Sequence, residues 1–241
     1  MYELFIGQDG GVVANSNSRY LFYEFRNAAS IDVSYLNTKK VTNMYYMFRF
    51  TGYNASTFII SGLNKWITSS VTNMNSMFAE TGYSATTWDI GDISKWDVSK
   101  VYSFQQIFMS AGYKAQVFKL DVSKWNVSGA SSLASMFFKS GYNSKEWSVG
   151  DLSKWNTSSA TSMVQMFNRA GKNSNVWNVG DLSKWDTSKV VSMSTMFYDC
   201  GSRASGNRVD PNVSSWNVSK VTGYSNFNSG ATWITPPTWV N

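Results

Sequence analysis

Trp185-Asp-Thr-Ser-Lys-Val-Val-Ser-Met-Ser-Thr-Met-Phe197 is one of seven variants of a single segment, and its recurrence decides the fold. The tryptophans that open it, Trp66, Trp96, Trp125, Trp155, Trp185 and Trp216, lie 30, 29, 30, 30 and 31 residues apart, and Leu36 takes the same place 30 residues before Trp66. A fixed period of this size marks a stacked repeat protein, in which each unit contacts chiefly its neighbours.

With the tryptophan as position zero, the columns are regular. Three residues before it stand Val33, Leu63, Ile93, Val122, Leu152, Leu182 and Val213. Five after it is Val or Ala, eight and eleven after it are mostly Met, and twelve after it is Phe48, Phe78, Phe108, Phe137, Phe167 or Phe197. Offsets five, eight, eleven and twelve fall on one face of an α-helix. A Ser three after each Trp stands where an N-cap belongs, and Gly52, Gly82, Gly112, Gly141, Gly171 and Gly201 stand where left-handed C-caps belong. The expected unit is therefore one short parallel strand near the Trp-containing segment plus one helix of about three turns. The fold class is α/β, a leucine-rich-repeat-like solenoid with strands paired in register. Residues 1–30, with Ser18-Arg-Tyr-Leu-Phe-Tyr-Glu-Phe25, are expected to form a helical N-terminal cap, residues 31–204 the solenoid, and residues 205–241 a last partial unit and C-terminal cap. The tail Trp233-Ile-Thr-Pro-Pro-Thr-Trp239 is expected to lie extended over the final open face.

Composition narrows function. The 241 residues include no histidine, which removes Ser-His-Asp and Cys-His catalysis and His-ligated zinc, and a single cysteine, which removes an intrachain disulfide framework. Net charge is +6 with no dense Lys/Arg block, so nucleic acid is not an expected partner. Met1-Tyr-Glu-Leu-Phe-Ile lacks a basic, then apolar, export pattern, and no run approaches the length of a membrane span. The expected setting is a virion or cell surface reached without a signal peptide of its own, with no membrane insertion.

The segment Asp-Leu-Ser-Lys-Trp-Asp-Thr-Ser-Lys-Val-x-x-Met-x-x-Met-Phe, with the lead-in Ala14-Asn-Ser-Asn-Ser-Arg-Tyr-Leu-Phe-Tyr, resembles the BspA-like leucine-rich-repeat surface proteins of mycoplasmas, other bacteria and some phages. The resemblance runs over roughly residues 14–228. It implies a leucine-rich-repeat-like solenoid and a role in adhesion or binding, and no catalytic residues. The unit here is longer than is usual in that family.

Three sets of side chains are candidates for contact. Lys65, Lys95, Lys124, Lys154 and Lys184 form one column and Asp32, Asp92, Asp121, Asp151 and Asp181 another. In a parallel stack each column becomes a ladder with rungs about 5 Å apart. Such ladders suit an anionic glycan or Ca²⁺, but a mutually neutralising surface with Asp-mediated turns is the favoured reading, and no metal is expected. Tyr53, Tyr83, Tyr113 and Tyr142 follow the capping glycines and could bind sugar or protein. Phe58, Trp88, Phe118, Trp147 and Trp177 form a further row, read as a second core layer, like the methionines and Cys200. The expected function is non-catalytic recognition or adhesion toward a surface protein or glycan, with no cofactor; the alternative is a structural or decoration subunit of a virion or other assembly.

Overall fold

The computed structural model describes residues 1–6, 11–204 and 207–240. It is a parallel β-solenoid of about seven coils. Its strands, in chain order, are β1 (Tyr2–Phe5), β2 (Val12–Val13), β3 (Ala28–Asp32), β4 (Leu36–Asn37), β5 (Thr57–Ser61), β6 (Thr87–Asp89), β7 (Val117–Lys119), β8 (Glu146–Ser148), β9 (Val176–Trp177) and β10 (Asn207–Arg208). Every pairing is parallel: β1-β3-β5-β6 form one sheet, and β7-β8, β9-β10 and β2-β4 form pairs. A second ladder of single bridges runs along Ser103, Ser132, Ser162, Ser192 and Gly223.

The strands hold a different part of the unit from the one expected. They carry the Phe58/Trp88/Phe118/Trp147/Trp177 row, while the segment leading into each repeat Trp forms a turn, as in Trp96 N–H to Ile93 C=O at 3.2 Å. The core reading of that row is correct: all five residues are buried.

The expected helix is absent. Among the described residues no α-helix occurs, and the only helical turn is 3₁₀, at Leu63–Lys65. The stretch from Met44 to Ala55 is instead a ribbon of overlapping β-turns. Its N–H groups alternate: Met47, Arg49, Thr51 and Tyr53 donate to the carbonyl three residues back, while Met44, Tyr46, Phe48 and Phe50 donate to Asn73, Asn75, Met77 and Ala79 of the next coil. An α-helix would keep all these bonds inside itself, i to i−4; here half of them join coils. The alternation needs left-handed residues ten, fourteen and sixteen after each Trp, as at Gln106 (φ 59), Ser110 (φ 53) and Gly112 (φ 53). The same inward columns serve both backbones, so Met44, Met47 and Phe48 are fully buried as expected. The capping serine is reversed too. The side chain one after Trp (Asp97, Asn126, Asn156, Asp186 or Asn217) accepts from the N–H of the Ser two residues on, at 2.9–3.2 Å.

The N-terminal cap is likewise a coil and not a helix. Ser18, Tyr20, Phe22 and Glu24 donate to Asn43, Tyr45, Met47 and Arg49 of the following coil, and Phe22 stacks on Phe48 at 4.9 Å. At the other end Trp239 stacks on Tyr224 (4.6 Å) and Trp233 meets Trp177 edge-on (5.2 Å), so the tail covers the last coil. Residues 205–206 of the polar insertion at Gly201–Arg208 lie outside the described residues.

Indoles and phenyl rings fill the interior in files. Phe48, Phe78, Phe108, Phe137, Phe167 and Phe197 stack at 5.4–5.8 Å. Each repeat Trp donates its indole N–H to a backbone carbonyl of the preceding coil: Trp66 to Val33, Trp96 to Leu63, Trp125 to Ile93, Trp155 to Val122, Trp185 to Leu152 and Trp216 to Leu182, at 2.8–3.3 Å. Burying an indole normally requires such a partner. The bond explains why Trp, rather than Phe or Leu, recurs at this corner.

Candidate functional site

The five lysines Lys65, Lys95, Lys124, Lys154 and Lys184 are exposed and follow one line along the rod, because each precedes an inward indole. Among the described residues none of them lies within ion-pair reach of a carboxylate; Lys65 alone has a close aromatic neighbour, Tyr35, at 5.7 Å. The aspartate column beside them is tied down differently. Asp32, Asp92, Asp121, Asp151 and Asp181 accept from the N–H of Ser34, Ser94, Ser123, Ser153 and Ser183 at 2.8–3.0 Å. Hydrogen bonds from Ser94 hold the Asp92 carboxyl below the usual range, with Lys95 and Lys124 adding a smaller Coulombic effect; the bonds from Ser183 do the same for Asp181. The aspartates are turn-formers first, and the lysines are the untethered partners of a striped flank. No group of side chains with metal-binding potential occurs among the described residues.

Tyr53, Tyr83, Tyr113 and Tyr142 form a half-buried file stacked at 4.8, 4.6 and 4.7 Å, with planes within 14°. Their ring faces are occupied by one another. The file is closed by a cation at each end, Arg26 at 5.3 Å from the Tyr53 centroid and Lys172 at 5.8 Å from Tyr142. Lys172 is itself anchored to Asp199 at 2.6 Å. A sugar that stacks on an aromatic face finds none free here; the file offers phenol edges. Burial pushes the Tyr83 and Tyr113 phenols above their ordinary pKa, so they stay protonated. The lysine and tyrosine rows are separate stripes, not one constellation.

Sequence columns also held a feature that the periodic reading passed over. Tyr20, Tyr23, Tyr45, Tyr46 and Phe50 cluster with Arg26 and Arg49 at the N-terminal end, with Tyr45 and Tyr46 stacked at 3.9 Å and Arg49 4.5 Å from the Tyr46 ring. The hydrogen bond with Tyr46 and burial push the Tyr45 phenol up to about 12. Elsewhere these columns hold residues such as Asn75, Ser76, Gln105 and Gln106, and that departure was the available signal. Cys200 is fully buried and burial raises its thiol well above the ordinary range, which fits packing and not chemistry.

The family described as "Mycoplasma protein of unknown function, DUF285" matches residues 16–149 and 141–236, which together span most of the sequence. The chain belongs to this family. No curated protein and no solved structure matches it. Among the described residues no helix is long and apolar enough to cross a membrane.

Proposed function

We propose that this DUF285 chain is a non-catalytic recognition or adhesion module, which presents its lysine-bearing flank to a protein or glycan at a bacterial cell or phage particle surface. The observation that carries this reading is the row of Lys65, Lys95, Lys124, Lys154 and Lys184, exposed and, among the described residues, without a carboxylate within ion-pair reach. A core asks for nothing at these outward positions, so regular charge there costs the fold nothing to change and is free to serve contact. Rungs about 5 Å apart suit a linear partner that repeats on a similar scale, and many weak contacts add through multivalency. The resemblance to BspA-like surface repeat proteins supports the same class of role. Tyr53, Tyr83, Tyr113 and Tyr142 join such contact only through their edges. The absence of histidine and the turn-forming duty of the aspartates speak for a role without catalysis.

The test is binding of the labelled chain to a polyuronate, compared with an uncharged polysaccharide of equal length. Lys124→Glu plus Lys154→Glu is expected to weaken polyuronate binding at least about tenfold and to flatten its salt dependence, with the melting temperature unchanged. Equal binding by both forms overturns the assignment of the lysine row. The second reading, a structural or decoration subunit, draws on strand β2, which has β4 as its one strand neighbour among the described residues; it predicts a fixed copy number in purified particles by mass spectrometry.

A further inference from the structure

The two ends of the rod are finished differently. At the C-terminal end the chain's own extended tail brings Trp233 and Trp239 onto the last coil, and Ile234 is buried there. At the N-terminal end β2 has one neighbour, β4, among the described residues. Val12 and Ala14 turn their N–H groups toward Tyr35 and Asn37, at 2.9 and 3.0 Å. Successive residues of a strand alternate, so the N–H of Val13 faces away from β4, on the side where no strand pairs among the described residues. Its side chain is 67% exposed.

Beside this edge lies a cavity of about 250 Å³, walled by Ile6, Val12, Ala14, Leu21, Phe22 and Leu36. Its origin is legible in the columns. Val12 pairs with Leu36 in the register that Trp66 continues, so the indole file shrinks from Trp66 to Leu36 to Val12 toward this end. The cavity is the unfilled end of that file. Arg19 stands at its rim, exposed and with no carboxylate partner among the described residues, next to the 43%-exposed Tyr20.

We propose that this end is a β-augmentation site for an extended partner peptide that pairs with the Val13 edge, sets a bulky apolar side chain, aromatic by preference, into the cavity, and places a neighbouring carboxylate on Arg19. Three independent features select that occupant. The strand edge supplies main-chain hydrogen bonds, the cavity takes one side chain, and the lone guanidinium takes a carboxylate. The tail at the opposite end shows within the same molecule that an extended segment bearing tryptophan is what closes a coil of this kind. An outward strand N–H next to exposed apolar side chains is otherwise a liability for aggregation. The site is separate from the lysine flank and does not depend on it.

The probe is a fluorescein-labelled, end-capped peptide Thr-Leu-Asp-Trp-Asp-Val-Thr, titrated with the whole chain by fluorescence anisotropy. Saturable binding is expected, at least about tenfold weaker for Arg19→Glu, for Leu21→Glu and for a probe with Ala in place of Trp. Val13→Pro removes the outward donor and is expected to weaken binding similarly. Lys124→Glu plus Lys154→Glu leaves it unchanged, which separates this site from the flank. Leu21 and Arg19 are exposed, so their variants fold, and thermal melts check this. Equal binding by wild type and Arg19→Glu, or no saturation up to about 1 mM chain, overturns the proposal. So does a homodimer in light scattering that Val13→Pro dissociates, since a second copy then holds the edge.

Discussion

A β-carbon built on Gly82 stands 2.6 Å from Trp88 Cδ1 and 2.9 Å from Phe58 Cβ, on a backbone with φ of +52°. The left-handed conformation strains a side chain there, and the aromatic layer beneath leaves no room for one. Gly82→Ala is expected to destabilise by about 2–4 kcal/mol in urea unfolding. Gly129 is the internal control: its β-carbon would meet only the Ser99 carbonyl at 3.4 Å and its φ is ordinary, so Gly129→Ala is expected to be neutral or to stabilise by about 0.5 kcal/mol. Turn-forming aspartates give a second residue-scale expectation. Hydrogen bonds from Ser99 and Ser188 depress Asp97 and Asp186, so their stabilising effect is complete above the unfolded pKa of about 3.9 and is lost as pH falls through the lower folded values. The repeat already uses Asn at the same place, in Asn126, Asn156 and Asn217. Asp97→Asn plus Asp186→Asn should therefore keep the melting temperature at pH 7 and flatten its fall below about pH 4. Glu80 acts in the opposite sense, because burial raises its pKa and favours the neutral acid.

At the scale of the coil, the tryptophan corner couples packing to a hydrogen bond. Trp125→Leu copies what the chain itself does at Leu36, yet in mid-stack it vacates space and removes the indole donor, at 3.0 Å, from the Ile93 carbonyl, which keeps only the Trp96 N–H. A loss of about 2–4 kcal/mol is expected in equilibrium unfolding. The turn ribbon carries another expectation: far-ultraviolet circular dichroism should lack the paired minima of α-helix. What could be read beforehand follows from how each feature is encoded. Period, parallel stacking and inward columns were legible because side chains state them; Trp, Met and Phe return at fixed offsets. The backbone path between them was not, since Val41, Met44, Met47 and Phe48 lie inward on a helix and on a three-residue turn ribbon alike. The left-handed residues that separate the two include Gln106, Lys139, Gln165 and Arg169, side chains with no local preference for that conformation. They hold it because inter-coil bonds reward it, a reward invisible within a single unit. The lysine line was likewise legible from spacing. The closure of the tyrosine file at Lys172 is legible as well, since Lys172 follows Gly171 as Tyr142 follows Gly141; its closure by Arg26 is not, because the first coil lacks the Trp and Gly that mark the columns.

For the molecule as a whole, stability should follow a gradient along the rod. Coils in the middle have a neighbour on both sides, whereas the strands of the first coil have one strand neighbour each among the described residues. Amide exchange is therefore expected to be slowest around Phe108 to Phe167 and fastest before Ala28. Fast, uniform exchange through the centre would contradict the stacked description. The alternating amides of the turn ribbon have one more consequence. Since Phe78 donates to Ile107 as Phe48 donates to Met77, each coil presents its successor with the same pattern of donors and acceptors that it received. Excising residues 126–155 would join Trp125 to Asn156 and leave every severed rung facing an equivalent mate. Such a shortened chain should purify as a folded monomer, with Lys172 brought next to Tyr113. Recombination between repeats in the gene can thus reset the reach of the rod one whole step at a time, like links taken from a watch strap, without any new fold having to be invented.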